Sequence, residues 1–125
     1  MSHFSTVETL LRDPEAIRAA AKELGYEVLD NAEVRGYGGK KTTANLVVRL
    51  KGTYDLGLQG KADGSYAIVC DWWQGHVASE LGEGACKLLQ RYGVCKTRLE
   101  ARKHGYNVSE QQQQDGSILM RLRRF

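Results

Sequence analysis

The sequence has 125 residues, of which 42% are hydrophobic and 26% are charged, and its formal net charge is +3 at pH 7. A chain of this length and composition is expected to fold as one globular domain over residues 1–125, and not to be disordered or fibrous. The first residues lack the basic and apolar regions of a secretory signal, and no apolar run approaches the 18 residues of a membrane span, so we expect neither export nor membrane insertion.

The first 25 residues predict a strand followed by a helix. Residues 3–10 alternate between two faces, which is typical of a half-buried strand. The sequence Asp13-Pro14-Glu15 predicts a helix start, because aspartate caps free amide groups, proline suits the first helical position and glutamate favours the positive end of the dipole. Apolar residues then recur at helical spacing until Gly25 supplies a left-handed stop, so the helix is expected over residues 14–24.

The next fifty residues predict a series of antiparallel strands. A strand begins at residues 26–29 and loses its pattern in the glycine-rich, basic segment 35–41, which we interpret as a mobile hairpin loop. A β-rich run resumes over residues 43–50. Two further strands, residues 54–58 and 66–73, flank Asp63-Gly64-Ser65, and Asp-Gly is a strong hairpin signal.

A long amphipathic helix follows. After Ser79, apolar residues recur at steps of three and four, and Gly105 ends the pattern. We expect one helix with a single apolar stripe and a kink at Gly93.

The tail predicts a second hairpin, formed by residues 107–114 and 117–125. A three-residue loop with a glycine bulge at Gly116 places Val108 opposite Leu122, and this register suits the apolar pattern better than a two-residue turn does. The residues expected to face the core are Ile118, Met120 and Leu122.

Together these elements predict an α+β fold: an antiparallel sheet of about six or seven strands with two helices packed on one face. A doubly wound parallel sheet would need a helix after nearly every strand. The second face of the sheet is left to water or to a partner. The residues after Gly25 resemble those after Gly105, and the hairpins share a Tyr-to-Asp spacing, so either two related β-α-β-β units with an extra strand between them or a coincidence explains the pattern.

Aromatic residues and a basic loop provide the first candidate binding groups. Trp72 and Trp73 are adjacent in a predicted strand and should point to opposite faces, one into the core and the other toward a helix or a partner. Tyr37, Lys40 and Lys41 combine an aromatic ring, two charges and flexible glycines, a composition typical of loops that contact nucleic acid. A solvated hairpin tip explains the same composition, and we favour it.

Positive charge is concentrated in the C-terminal third. Residues 1–86 carry 9 Lys or Arg against 12 Asp or Glu, a net of −3, whereas residues 87–125 carry 9 against 3, a net of +6. This asymmetry favours an acidic partner or nucleic acid. The candidate contacts at the end of the chain are Arg121, Arg123 and Arg124. We nevertheless expect these arginines to be solvated and to discourage edge pairing, because three acidic residues interrupt the charge: Glu100, Glu110 and Asp115.

The sequence contains no recognisable catalytic or metal-binding constellation. Its three histidines and three cysteines do not stand at a recurrent ligand spacing, and no local feature orients a nucleophile or a pair of carboxylates. We therefore expect no metal, no cofactor and no catalytic residue, which favours a protein that is not an enzyme. The odd number of cysteines favours a reducing, cytosol-like compartment, the cytoplasm.

Short stretches along the whole chain resemble the hypothetical chloroplast reading frame family number thirty-five, a family of unknown function from cyanobacteria and plastid genomes. The stretches in the first half are Met1-Ser2-His3-Phe4-Ser5-Thr6, Arg12-Asp13, Leu24-Gly25-Tyr26, Tyr54-Asp55-Leu56-Gly57 and Asp63-Gly64-Ser65-Tyr66. Those in the second half are Asp71-Trp72-Trp73, Leu89-Gln90-Arg91-Tyr92, Ala101-Arg102-Lys103, Asp115-Gly116-Ser117 and Arg123-Arg124-Phe125. The resemblance implies a cyanobacterial or plastid-like setting and supplies no activity, cofactor or catalytic residue.

The function that follows is that of a small non-catalytic binding or adaptor protein with a protein partner. The alternative is a nucleic-acid-binding protein that uses residues 87–125. The candidate binding residues are Trp73, Tyr37, Lys40, Lys41, Arg121, Arg123 and Arg124.

Overall fold

A computed structural model describes residues 4–124, so His3 of the first predicted strand and Phe125 of the last lie outside the described residues. The strands over this part of the chain are β1 (Phe4–Glu8), β2 (Glu27–Arg35), β3 (Lys41–Arg49), β4 (Asp55–Gly60), β5 (Tyr66–Asp71), β6 (Tyr106–Gln112) and β7 (Ile118–Arg124). The α-helices are α1 (Pro14–Glu23), α2 (Ala78–Leu81) and α3 (Cys86–Lys103).

The predicted α+β class with antiparallel strands is confirmed, and the strands divide between two sheets. Five strands form one antiparallel sheet in the order β1-β5-β4-β3-β2, and β6 and β7 pair with each other in a separate ribbon. The sequence of β6 favours the division, because residues 109–112 are all polar and would bury little apolar surface in the main sheet. The ribbon packs instead beside α3.

Local signals set both ends of α1 as predicted. The Asp13 side chain accepts hydrogen bonds from the backbone N–H groups of Glu15 (2.9 Å) and Ala16 (3.4 Å), and Pro14 is the first helical residue. Gly25 follows the helix at φ +89°, a conformation that glycine adopts without a steric penalty. The predicted helix is therefore confirmed to within one residue at its end.

The second predicted helix is wrong at its start, because the chain breaks between α2 and α3. Gly82 has φ +82° and Ala85 has φ +59°, and both conformations are incompatible with a continuous helix. A Cβ on Gly82 would lie 2.5 Å from Sγ of Cys86, an exposed side chain that would have to rotate away. From Cys86 onward α3 is one helix that continues through Gly93 to Lys103, so the glycine does not end it.

The main core lies between the five-stranded sheet and the helices. Leu56, Leu58 and Ile68 of the sheet are at most 1% exposed, as are the residues that cover them from the helices. Those helical residues include Ile17, Leu81 and Leu88.

The second face of the sheet is not left open, because the distal half of the β2–β3 hairpin folds across it. Val34, Ala44 and Val47 form a small buried cluster there, separate from the main core. Asn31, at φ +46°, stands where β2 changes the face to which its side chains point. Gly57 of β4 lies beneath this hairpin, and a Cβ at that position would be 2.6 Å from Val34 Cγ2 and 2.9 Å from the Val69 carbonyl oxygen.

The predicted register of the tail hairpin is confirmed, since Val108 pairs with Leu122. Gln113 N–H donates to the Ser117 carbonyl (2.8 Å), and Gly116 takes φ +89° in the loop. The β4–β5 hairpin repeats this turn at residues 61–65. The internal similarity noted in the sequence therefore extends to helix ends and turns, while the second hairpin forms its own sheet.

Replacement of Gly57 by alanine should destabilise the fold. The added methyl group would collide with a buried valine and with a backbone oxygen that cannot move independently, and such overpacking costs about 1–3 kcal/mol. Chemical denaturation monitored by circular dichroism should show this decrease in the free energy of unfolding.

Gly93→Ala is the matched control. A Cβ built on Gly93 would meet no atom within 4 Å beyond its own stretch of helix. Alanine is more favourable than glycine in the middle of a helix by about 1 kcal/mol. We expect Gly93→Ala to be more stable than the wild type. If Gly57→Ala were as stable as the wild type, the hairpin would not pack on β4 as described.

Candidate binding surfaces

Asp55 fixes the base of the β2–β3 hairpin tip. Its carboxylate is fully buried and accepts hydrogen bonds from the backbone N–H of Arg35 (3.0 Å) and from Nε (2.8 Å) and Nη2 (2.7 Å) of the same arginine. The backbone N–H of Leu50 donates a further bond at 3.3 Å, and Arg49 Nε lies 3.5 Å away. One buried charge therefore joins β2, β4 and the chain after β3.

Asp71 fixes the far end of the same tip. It is also fully buried, and its two oxygens accept hydrogen bonds from the backbone N–H groups of Tyr37 and Trp73, each at 2.9 Å. Gly36 approaches so closely that a Cβ there would lie 2.7 Å from Phe4 Cζ and 3.0 Å from an Asp71 oxygen. The segment predicted to be a mobile loop is thus bonded to β4 and β5.

This arrangement brings together four of the predicted site residues, which we call the tip: Tyr37, Lys40, Lys41 and Trp73. The rings of Tyr37 and Trp73 meet edge to face at a centroid distance of 5.8 Å, and the two residues are 40% and 37% exposed. Lys40 and Lys41 line a neighbouring cavity of about 370 Å³ together with Arg35. The tip is a compact surface of aromatic rings beside positive charges.

Trp72 and Trp73 were expected to point to opposite faces because they would lie in one strand. This reason is wrong, since β5 ends at Asp71. Trp72 packs against the main core and Trp73 enters a 3-10 turn. The hydrogen bond from Trp73 N–H to the Asp71 side chain, two residues earlier, replaces a sheet bond and ends the strand.

The C-terminal arginines lie elsewhere, on the β6–β7 ribbon. Arg121 and Arg123 are exposed, and Arg124 stacks over the Tyr106 ring with its guanidinium carbon 5.6 Å from the centroid. The candidate binding residues predicted from the sequence therefore lie on two separate surfaces, the tip and the ribbon.

Much of the remaining positive charge of the C-terminal third is paired. Arg91 and Arg98 both bond Glu110 of the ribbon, at 2.9 and 2.6 Å, and both also reach Glu23 of α1. These hydrogen bonds hold the pKa of the Glu110 carboxyl below its usual value. Lys96 bridges Asp13 at the start of α1 and Glu100 of its own helix, at 3.0 and 2.9 Å.

Sequence reasoning missed an apolar groove between β1 and α3. Its cavity is about 320 Å³, and three of its hydrophobic residues are exposed: Val7 (45%), Leu10 (93%) and Leu89 (37%). No motif marks this groove. The only sequence signal is a leucine in the turn between a strand and a capped helix, a place where polar residues are usual.

Two of the three cysteine thiols are buried in this structure, those of Cys70 and Cys95. Burial raises the pKa of the Cys70 thiol to about 12 and that of Cys95 to about 11, so both stay protonated at neutral pH. None of the three cysteines forms a disulfide. Over residues 4–124, no three His, Cys, Asp or Glu side chains are grouped to hold a metal ion. In the same part of the chain, no helix has the length and apolar character to span a membrane.

Comparison with known proteins confirms the resemblance seen in the sequence. A family model described as "Protein of unknown function (DUF1257)" matches residues 20–121. The chain is 32% identical over 130 residues to the uncharacterized protein ycf35 of Guillardia theta, and the match covers 100% of this chain and 98% of that protein. No solved structure matches the chain.

Replacement of Asp55 by asparagine should destabilise the fold strongly. The amide would present donors to the Arg35 and Leu50 groups that now donate to the carboxylate, and breaking a buried charge pair costs about 3–5 kcal/mol. Since Arg35 is 30% exposed and can be partly hydrated, we expect the lower end of that range in denaturant unfolding.

Asp30→Asn is the control for loss of a carboxylate. Asp30 pairs with Arg18 at the surface with 62% of its side chain exposed, so its replacement should change the free energy of unfolding by less than about 1 kcal/mol. Equal effects of the two substitutions would contradict the special role of Asp55.

Stability should fall in mild acid in part through Glu110. Its pKa is lower in the folded protein than the ordinary value of 4.5, so its contribution is present above that value and is lost as the pH falls through the folded pKa. The free energy of unfolding, measured from about pH 6 to about pH 3, should therefore depend less on pH in Glu110→Gln than in the wild type. An identical pH dependence would show that the ion pairs with Arg91 and Arg98 are absent in solution.

Proposed function

This chain belongs to the DUF1257 family of proteins of unknown function, and we propose that it is a small non-catalytic binding protein that contacts a protein partner through the tip. The partner surface that fits Tyr37, Trp73 and the two lysines is acidic and offers apolar contact to the rings. The compartment we propose is the cytoplasm or a plastid stroma, because three unpaired cysteines are typical of a reducing environment.

One observation carries this proposal: two fully buried carboxylates are used to hold a surface loop. Asp55 and Asp71 accept their hydrogen bonds from the backbone and side chains on either side of the tip. Burying a charge is costly, and the bonds that compensate for it fix the residues that donate them. A loop fixed in this way loses little conformational entropy when it binds, which favours affinity.

The composition of the tip agrees with a protein contact. Tyrosine and tryptophan give large contact area with few rotatable bonds, and they are enriched among the residues that dominate binding energy. Lys40 and Lys41 add positive charge to the tip, and Lys41 also pairs with Glu33 at 3.3 Å; charge of one sign at the edge of a contact selects a partner of the opposite sign.

The same bonds weigh against a catalytic role for these aspartates. A general acid or base must reach its substrate, and both carboxylates are fully buried. The buried thiols are protonated and therefore poor nucleophiles. The carboxylates of Asp55 and Asp71 thus serve to hold the tip in place.

Trp73→Ala should abolish partner recovery without unfolding the protein. The backbone N–H that bonds Asp71 is retained in this variant, and truncation of a central tryptophan typically costs a contact about 2 kcal/mol or more, equivalent to about thirtyfold in affinity. The measurement is quantitative mass spectrometry of proteins retained by immobilised wild type and variant from a lysate of the source cells.

Two further variants make the result specific. Leu119→Ala removes a hydrophobic side chain that is 41% exposed on the ribbon, and it should retain the partner. Leu10→Ser tests the apolar groove. Loss of the partner from Leu10→Ser with retention by Trp73→Ala would place the contact at the groove and show that the tip proposal is wrong. Turnover in a broad substrate screen, with no partner recovered by any variant, would overturn the binding role itself.

A further inference from the structure

The β6–β7 ribbon has one face directed toward α3 and one open face. Val108, Ile118 and Met120 are half buried on the helix side, and Glu110 on the same side reaches Arg91 and Arg98. The register pairs Asn107 with Arg123, Ser109 with Arg121 and Gln111 with Leu119 on the other side. We call these six residues the open face, and all of them are exposed: Asn107, Ser109, Gln111, Leu119, Arg121 and Arg123.

The acidic residues that interrupt the positive charge in the sequence do not lie on the open face. Glu110 points to α3, and Glu100 bonds Lys96 and Lys103 at 2.9 and 3.5 Å. Asp115 lies in the turn, where it accepts hydrogen bonds from Ser117 N (2.9 Å) and Oγ (2.6 Å). The open face therefore presents two arginines and three neutral hydrogen-bonding side chains without a carboxylate among them.

We infer that the open face binds double-stranded DNA in its major groove. A two-stranded antiparallel ribbon fits the width of that groove, and Arg, Asn and Gln are the side chains that read base edges there. Arg121 and Arg123 are two residues apart on one strand, so their backbone positions are about 7 Å apart along the ribbon and both can contact one duplex.

The composition of the open face separates duplex DNA from other nucleic acids. Single-stranded binding relies on aromatic side chains that stack on bases, and the open face has none. The major groove of an RNA duplex is too deep and narrow for side chains to read. The hydrogen-bonding groups of this face thus suit B-form DNA best.

The test is fluorescence anisotropy with a labelled, mixed-sequence 20-base-pair DNA duplex over a series of salt concentrations. We expect wild-type binding at about 50 mM salt that weakens as salt rises. Arg121→Gln/Arg123→Gln should reduce affinity at low salt by about tenfold or more for each arginine.

Two control variants remove positive charge from surfaces other than the open face. Lys40→Gln/Lys41→Gln takes two charges from the tip, and Arg124→Gln takes one from the helix side of β7, where Arg124 stacks on Tyr106. Both should bind the duplex nearly as well as the wild type. A loss in Lys40→Gln/Lys41→Gln equal to that in Arg121→Gln/Arg123→Gln would show that binding follows net charge and would overturn the assignment.

The remaining outcomes are equally decisive. Failure of the wild type to bind duplex DNA at about 50 mM salt contradicts the inference. So does tighter binding to single-stranded DNA or to an RNA duplex of the same sequence. All the replaced arginines are exposed, so thermal unfolding of the variants should match the wild type and exclude misfolding as the cause of a loss. The open face shares no residue with the tip, so this result and the protein-partner experiment are independent.

Discussion

The hydrogen bonds accepted by Asp55 and Asp71 are the interactions on which the second layer of this protein depends. Among the residues that the structure describes, the apolar cluster under the β2–β3 hairpin has three buried members, Val34, Ala44 and Val47. Ordering the hairpin costs conformational entropy at every residue, and so small a cluster offers little burial to offset it. The buried carboxylates add direct bonds to the strand end and to the loop, and they define the position of the tip.

The ion pairs of α3 hold the ribbon in place as the buried carboxylates hold the tip. The cations of α3 are largely paired with carboxylates of α1, α3 and β6, so this helix joins the ribbon to the main domain through ion pairs. A two-stranded ribbon is marginally stable alone, and these contacts supply what it lacks. The polar side chains of the ribbon that do not contact α3 then lie on its open face. The aromatic pair lies at another part of the molecule, on the tip.

Features governed by neighbouring residues could be predicted from the sequence. The cap at Asp13, the stop at Gly25 and the register of Val108 against Leu122 depend on short-range geometry, and all agree with the structure. The break between α2 and α3 was also signalled by Gly82 and Gly84. Helical spacing of the apolar residues around that break suggested one continuous helix, and the two glycines prevailed because their backbone conformations are not helical.

Long-range contacts could not be predicted in this way. The bonds from Asp55 to Arg35 and from Asp71 to Tyr37 span 20 and 34 residues, and no local pattern pairs these positions. The sequence therefore indicated Tyr37 and Trp73 as separate candidates, and only the fold shows that they meet. Nor could the pairing of Glu110 with Arg91 and Arg98 of α3 be predicted, since it depends on where the ribbon packs.

Native-state amide hydrogen exchange followed by NMR tests the central claim most directly. If Asp71 and Asp55 hold the tip, the amide protons of Tyr37 and Arg35 should exchange much more slowly than that of Gly38 in the same loop, because exchange requires the buried bonds to open. Exchange of Tyr37 and Arg35 as rapid as that of Gly38 would contradict the account.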